Sequence, residues 1–186
     1  MKKNIGTALT LYPTPAVVVG TNVNGKPNWL LVAHIGIIGH NRIMISCAKP
    51  HFSSAAIKEN RAVSVNIVNE ALLPKADYVG SVSGAKHDKS DVFAYTNSQT
   101  TGAPMIKDSP LVMDCTVDDI YDSEGFDNFI LKIENTFAEE SILNENGKVD
   151  YTKLAPVLFD MPNYEYLSIG GVIGPRLKMK QKPESR

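Results

Sequence analysis

The sequence predicts a mainly β domain, a β-barrel with short helices, and three observations carry that prediction. Short β-branched segments with period-two alternation recur along the chain, Gly, Pro and Asn turn signals separate them, and only one clear helix interrupts the early ones. Many short antiparallel strands of this kind close into a barrel more readily than they build a doubly wound parallel sheet.

The first strand runs from Ala16 to Thr21, after the turn-forming Pro13 and Pro15. Asn24-Gly25 then marks a tight hairpin, whose return arm is Asn28 to Ala33, NWLLVA, apolar enough to be expected buried on both sides. A third strand, Ile43 to Ala48, sets Ile43, Ile45 and Cys47 against Met44, Ser46 and Ala48 on opposite faces. Lys49-Pro50 stops it. Ser53 or Ser54 is then placed to cap a short helix, SSAAIKEN.

Ala62 to Val68 returns to strand, while Pro74, Gly80, Gly84, Gly102 and Pro104 break residues 70–109 into short helices and loops, an excursion from the sheet. Alternation resumes at Leu111 to Val117 and at Asn128 to Phe137, an expected antiparallel pair turning at Ser123-Glu124-Gly125. Tyr166 to Ile169 is the remaining strand candidate. Residues 1–174 are expected to form one domain, followed by a basic tail, 175–186, expected to be mobile.

A formal charge of −1 on 186 residues gives no broad electrostatic footprint for nucleic acid. The 30–38 stretch is broken by His34 and Gly36, so no membrane-spanning run is expected, and Asn4, Gly6, Thr7 and Pro13 interrupt any secretory apolar region. A soluble, cytoplasmic protein is the expectation. Cys47 and Cys115 lack metal-ligand or disulfide spacing and are read as reduced, buried thiols; no metal site is expected.

Neither a G-x-G-x-x-G fingerprint nor a P-loop is present. The segment ISCAKPHFSSAAI instead places a helix start directly after a strand. There, backbone N–H groups, the Ser53 and Ser54 hydroxyls and the Lys49 charge can converge on a single phosphate, although serines at that place also serve as simple caps.

The order of several segments resembles the flavin reductase-like, FMN-binding split-barrel family, which includes flavoredoxins and NAD(P)H:flavin oxidoreductases. YPTPAVVVGT resembles its opening, NGKPNWLLVAH its hairpin and flavin-contacting strand, and ISCAKPHFSSAAIKENRAVSVNIV its strand, turn, helix and strand. DYVGSVSGAKHDKSDVF and MDCTV follow in the family's order.

The resemblance implies a homodimer with FMN in a groove at the subunit interface. It implies that Leu31, Val32, Ala33 and His34 border the isoalloxazine, that Ser46, Cys47 and Ala48 line the flavin edge and ribityl chain, and that Lys49, His51, Ser53 and Ser54 hold the phosphate. Asn66 and Lys89 match further family positions. The chain departs from the family pattern at Leu31 and His34, where many members carry Thr and an aromatic residue. It departs again at His51, where the turn often carries Arg, and at Gly125-Phe126-Asp127-Asn128, in place of Gly-Asp-His.

His34 beside a flavin can donate a hydrogen bond, or it can be a packed structural residue. His87-Asp88-Lys89 reads either as a charged loop or as an Asp orienting a His. Three functions follow from the resemblance: a flavin reductase using NADH or NADPH, a flavoredoxin-like carrier whose bound FMN is reduced by a redox protein partner, and a split-barrel binding protein without turnover.

Overall fold

Asn24 and Gly25 adopt φ of 51° and 78°, so the two-residue loop they form joins β2 (Val17–Val23) to β3 (Lys26–Val32) in the twist a hairpin prefers. The computed structural model describes residues 1–176. The hairpin lies at one end of a seven-stranded antiparallel sheet. Continuing from β3, the sheet takes in β2, β6 (Ala62–Ile67), β9 (Leu111–Ser123), β10 (Phe126–Ala138), β5 (Arg42–Ala48) and β4 (Ile35–Ile37).

The expected double-sided burial of the return arm is realised although β3 is a terminal strand: Leu30 and Val32 pack in the barrel, Trp29 and Leu31 in a cluster outside it. Pro27, which has no N–H to give a second neighbour, fits such an edge. The apolar run is covered by α2 (Leu73–Ser81), whose Gly80 approaches so closely that a Cβ there would stand 2.9 Å from the Cβ of Leu31.

Strands β3 and β4 occupy opposite ends of this sheet, yet only Ala33 and His34 separate them in the chain. The sheet must therefore curl until β3 comes alongside β5, with β4 left beyond that seam. At the junction the Ser46 N–H donates to the His34 carbonyl at 2.9 Å, carrying the β4–β5 ladder up to the seam. Register shifts in the long β9–β10 hairpin, after Ile130 and after Ile133, add the local bend that curling requires.

The barrel interior holds Val17, Val19, Ile45, Val65, Phe129 and Leu131, together with Cys47 and Cys115, both free thiols. The expected two faces of β5 are realised: Ile43, Ile45 and Cys47 are buried inside, while Met44, Ser46 and Ala48 face outward and are partly exposed.

A second apolar cluster lies outside β2 and β3, where Val18 and Trp29 meet Val79, Phe93 and Ile106. Residues 70–109 supply its roof, and they contain, besides α2, a small hairpin of β7 (Tyr95–Asn97) and β8 (Pro104–Ile106) that the sequence pattern does not announce. The buried carboxylate of Asp114 anchors that hairpin, accepting from Ser98 Oγ at 2.5 Å and from the Thr101 hydroxyl.

α1 spans Phe52–Asn60, so its cap is His51 rather than Ser53 or Ser54. The Lys49-Pro50 turn, closed by the His51 N–H on the Ala48 carbonyl, starts the helix earlier than the serines alone predict. His51 makes no side-chain cap bond. The two hydroxyls instead tie the helix to the barrel: Ser53 Oγ accepts from Asn28 Nδ2 at 2.7 Å and Ser54 Oγ donates to the Ala48 carbonyl at 3.3 Å.

After β10 the chain passes through α3 (Tyr151–Leu154), capped by Asp150, and ends in a small sheet. There β11 (Leu158–Asp160) pairs with β1 (Thr14–Pro15) on one side and with β12 (Glu165–Leu167) on the other. β12 is the strand expected near Tyr166. All of the expected tail beyond Arg176 lies outside the described residues.

Candidate functional site

A cleft of about 520 Å³ opens on the outer face of the barrel beside the seam between β3 and β5. Leu31, Val32, Ala33 and His34 form one wall, Ser46, Ala48 and His51 a second, and α2 contributes Asp77, Gly80 and Ser81. Phe126 closes one side. The β11–β12 hairpin closes another with Phe159, Met161, Tyr164 and Tyr166.

Local geometry explains most of this wall. Thr14 Oγ1 donates to the Ala33 carbonyl at 2.7 Å and the His34 carbonyl accepts from Ser46, so the seam backbone is held from both flanks. Ser46 Oγ donates to Asn128 Oδ1 at 2.6 Å, and Asn128 Nδ2 donates onward to Tyr121 O and Ser123 Oγ. This chain of bonds fixes the serine's rotamer at the cleft wall.

The His34 ring stacks edge-on against Phe126, centroids 5.9 Å apart, and its Nε2 is buried with no hydrogen-bond partner. A buried, unpaired ring nitrogen costs free energy that a ligand's polar atom would recover. Opposite it, Tyr166 Oη donates to Asp77 Oδ1 at 2.7 Å; burial first, and then that bond, push the phenol well above its ordinary value.

The remaining expected positions lie elsewhere. Cys47 cannot share the cleft wall with both its neighbours, because strand alternation turns its side chain into the barrel. Burial, helped by the Asp127 carboxylate, pushes its thiol up to about 12, so it is neutral and unreactive. Lys49 projects from the surface in an ion pair with Asp122. Asn66 is buried, donating to Val18 O and Ser64 Oγ and accepting from the Ile106 N–H, all inside the fold.

Ser53 and Ser54 are buried in the first turn of α1 and line neither the cleft nor a second cavity of about 410 Å³. Lys89 lines that second cavity with Asn28, Phe52 and Gly84. Its Nζ is buried, donating to the carbonyls of Val79 at 3.0 Å and Val82 at 3.2 Å at the end of α2, and it forms no ion pair among the described residues. Burial lowers it to about 8.

His51 is lowered from 6.5, mainly by burial and then by the Lys89 cation, which places the two groups within electrostatic reach of each other. A histidine depressed in the folded state contributes stability that is present above pH 6.5 and is lost as pH falls through its folded value. A proton NMR titration of His51 is expected to give a midpoint below 6.5, moving upward in Lys89→Met. An unchanged midpoint in that variant would remove Lys89 as a cause.

Sequence reasoning missed Asp77 and the aromatic hairpin. The signal for the first was the i, i+3, i+4 spacing of Asp77, Gly80 and Ser81, which puts them on one helix face. The second was legible only as a cluster of aromatic residues after Phe159, with nothing in the local pattern to show where it folds.

Comparison with known proteins agrees with this geometry. No curated protein matches the chain. Among solved structures, flavoredoxin from Methanosarcina acetivorans is similar at 32% identity and a TM-score of 0.91, covering 96% of this chain and 97% of that one. Flavoredoxin of Desulfovibrio vulgaris (Miyazaki F) is similar at 28% identity and 0.89, over 96% and 99% of the two chains. An FMN-binding protein from Thermus thermophilus, at 17% identity and 0.81 over 94% and 100%, shares the fold. The flavin reductase like domain matches residues 9–167, and with the curled barrel and its seam-side cleft already established, the chain belongs to that family.

Proposed function

We propose that the cleft holds FMN and that the protein is an FMN oxidoreductase drawing hydride from NADH or NADPH. The observation that carries this reading is the unpartnered, buried Nε2 of His34, in a mostly apolar and aromatic cleft of about 520 Å³ whose polar side chains, Ser46, His51, Asp77 and Ser81, are few. The fit extends to the charged end: Lys89 and His51 flank the start of α1, where free N–H groups favour an anion, and Lys89 lacks a carboxylate of its own.

Bound FMN would supply hydride and single-electron transfer. The residues of the chain position and shield. Leu31 to His34 form the ring wall, with His34 Nε2 offering a hydrogen bond at the ring edge. Ser46, locked by Asn128, faces the polar rim. Lys89 and His51 hold the phosphate, with Ser53 keeping the helix start in register through Asn28. Phe126, Phe159 and Tyr164 exclude water. Two copies of a 1–174 domain, with FMN at their interface and in the cytoplasm, complete the reading.

The likeness to two flavoredoxins favours a second reading, a carrier whose FMN is reduced by a protein partner. An absorbance spectrum of the FMN-loaded protein, recorded anaerobically before and after NADH or NADPH, tests both. Rapid bleaching is expected for the reductase. Bleaching only by a reduced protein donor supports the carrier, and failure to take up FMN at all would overturn both.

A further inference from the structure

Residues 1–11 precede the first strand and are exposed throughout, with no hydrogen bond to the body of the protein among the described residues. Their apolar side chains are not scattered. Ile5, Leu9 and Leu11, 69%, 62% and 83% exposed, fall on odd positions. The chain turns at Gly6, with φ of 78°, and once it is drawn out as a strand they share one face with Thr7, while Gly6, Ala8 and Thr10 take the other. An apolar stripe of strand periodicity with nothing to pack against calls for a partner surface.

The fold has one of matching chemistry. An apolar groove of about 570 Å³ runs along β4, with the partly buried Ile35, Met113 and Ile133 on its walls and the buried Ile43 and Leu154 at its floor. β4 ends the seven-stranded sheet, so its outer edge has no neighbouring strand. Ile37, on that edge, is 86% exposed, and the space where a Cβ of Gly36 would stand is empty, so another backbone can come close. An open edge beside an apolar groove is the template for an added strand.

The arm does not lead into the groove of its own chain. It joins the body at Tyr12, whose hydroxyl bonds Met161 Sδ at 3.5 Å and whose ring lies 6.4 Å from His34, on the cleft side. Only beyond that point, at Pro15 and Val17, does the chain reach the groove.

We infer that residues 5–11 of one copy add as a strand to β4 of a second copy, setting Ile5, Leu9 and Leu11 into its groove, and that the exchange is reciprocal. This rests on the proposal that two copies associate, and it names the surface and the segment that join them. Reciprocal exchange satisfies both unpartnered pieces in a closed pair.

Analytical ultracentrifugation of the full chain, of a variant lacking residues 1–11 and of Leu9→Glu/Leu11→Glu tests the inference, with Ile37→Glu probing the groove. Neither the arm nor Ile37 is packed within one chain, so the fold is expected to survive, as circular dichroism would show. The full chain should be a dimer, and each variant should raise its dissociation constant by about tenfold or more. A dimer of undiminished affinity in the truncated chain overturns arm exchange while leaving association intact. A monomeric full chain, including one whose arm is protected from proteolysis by folding back, overturns both, and the separately recorded FMN spectrum then still decides the cofactor.

Discussion

Replacing Trp29 by alanine is expected to lower the unfolding free energy by about 3–5 kcal/mol, the upper range for a buried aromatic truncation. Trp29 is fully buried in the outer core, edge-on to Phe93 at 5.4 Å and to Tyr95 at 6.1 Å. The vacated space cannot refill by a small shift. The ring lies over Gly20, where a Cβ would stand 2.5 Å from the indole and 2.5 Å from the Pro104 carbonyl oxygen, so backbone already frames the site. Because the indole Nε1 has no hydrogen-bond partner, the loss is one of packing alone, and Trp29→Phe should recover more than half of it. Urea unfolding measures this as a drop in midpoint with an unchanged slope. A loss below about 1 kcal/mol would mean that the outer core is plastic.

The second large effect falls on binding rather than folding. Lys89→Met is expected to weaken FMN binding by about 10- to 100-fold, the worth of one charge-assisted hydrogen bond to phosphate. The thermal midpoint of the unliganded protein should move little, since two effects oppose. The carbonyls of Val79 and Val82 lose their donor, which destabilises, while a buried cation without a counter-charge disappears, which stabilises. The pH dependence carries a sign. Lys89 is lowered to about 8 from 10.5, so the penalty of burying its charge is present below pH 8 and is relieved as pH rises toward 10.5. FMN affinity should run the other way, full below pH 8 and falling above it, with this limb missing in Lys89→Met. Fluorescence titrations of FMN between pH 6 and 10 read both, and equal affinity in the two proteins would remove Lys89 from the phosphate site.

How far the sequence announces this molecule depends on how local each feature is. Asn24-Gly25 specifies its hairpin by φ alone, and the alternation of Ile43 to Ala48 predicts correctly which side chains enter the barrel. The same alternation shows why a family-based assignment of Ser46, Cys47 and Ala48 to one wall places two side chains there and turns the third inward. Non-local features stayed hidden. The apolar return arm NWLLVA announces burial on both faces, but nothing in it says that one cover is a helix forty residues later. Ser53 and Ser54 look like caps until Asn28 and Ala48 are seen to engage them. Lys89 sits in a run of polar residues and gives no sign that the end of α2 will bury it. The cleft wall at 31–34 was legible through resemblance, whereas Asp77 and the Tyr166 hydroxyl it accepts from depend on a closure between segments 89 residues apart.

The seam at Ala33 and His34 also divides the cleft into two kinds of territory for anyone wishing to redesign it. Residues 31–34 serve two masters, since the same few peptide groups join the ends of the sheet and border the cavity; changing their chemistry puts barrel closure at stake. The opposite bank belongs to α2 and to the β11–β12 hairpin, which contribute no strand to the seven-stranded sheet. Asp77, Ser81, Met161 and Tyr164 can therefore be varied as an exchangeable facing on a fixed frame, and a library confined to them should yield altered ligand preferences without a matching toll in misfolded members.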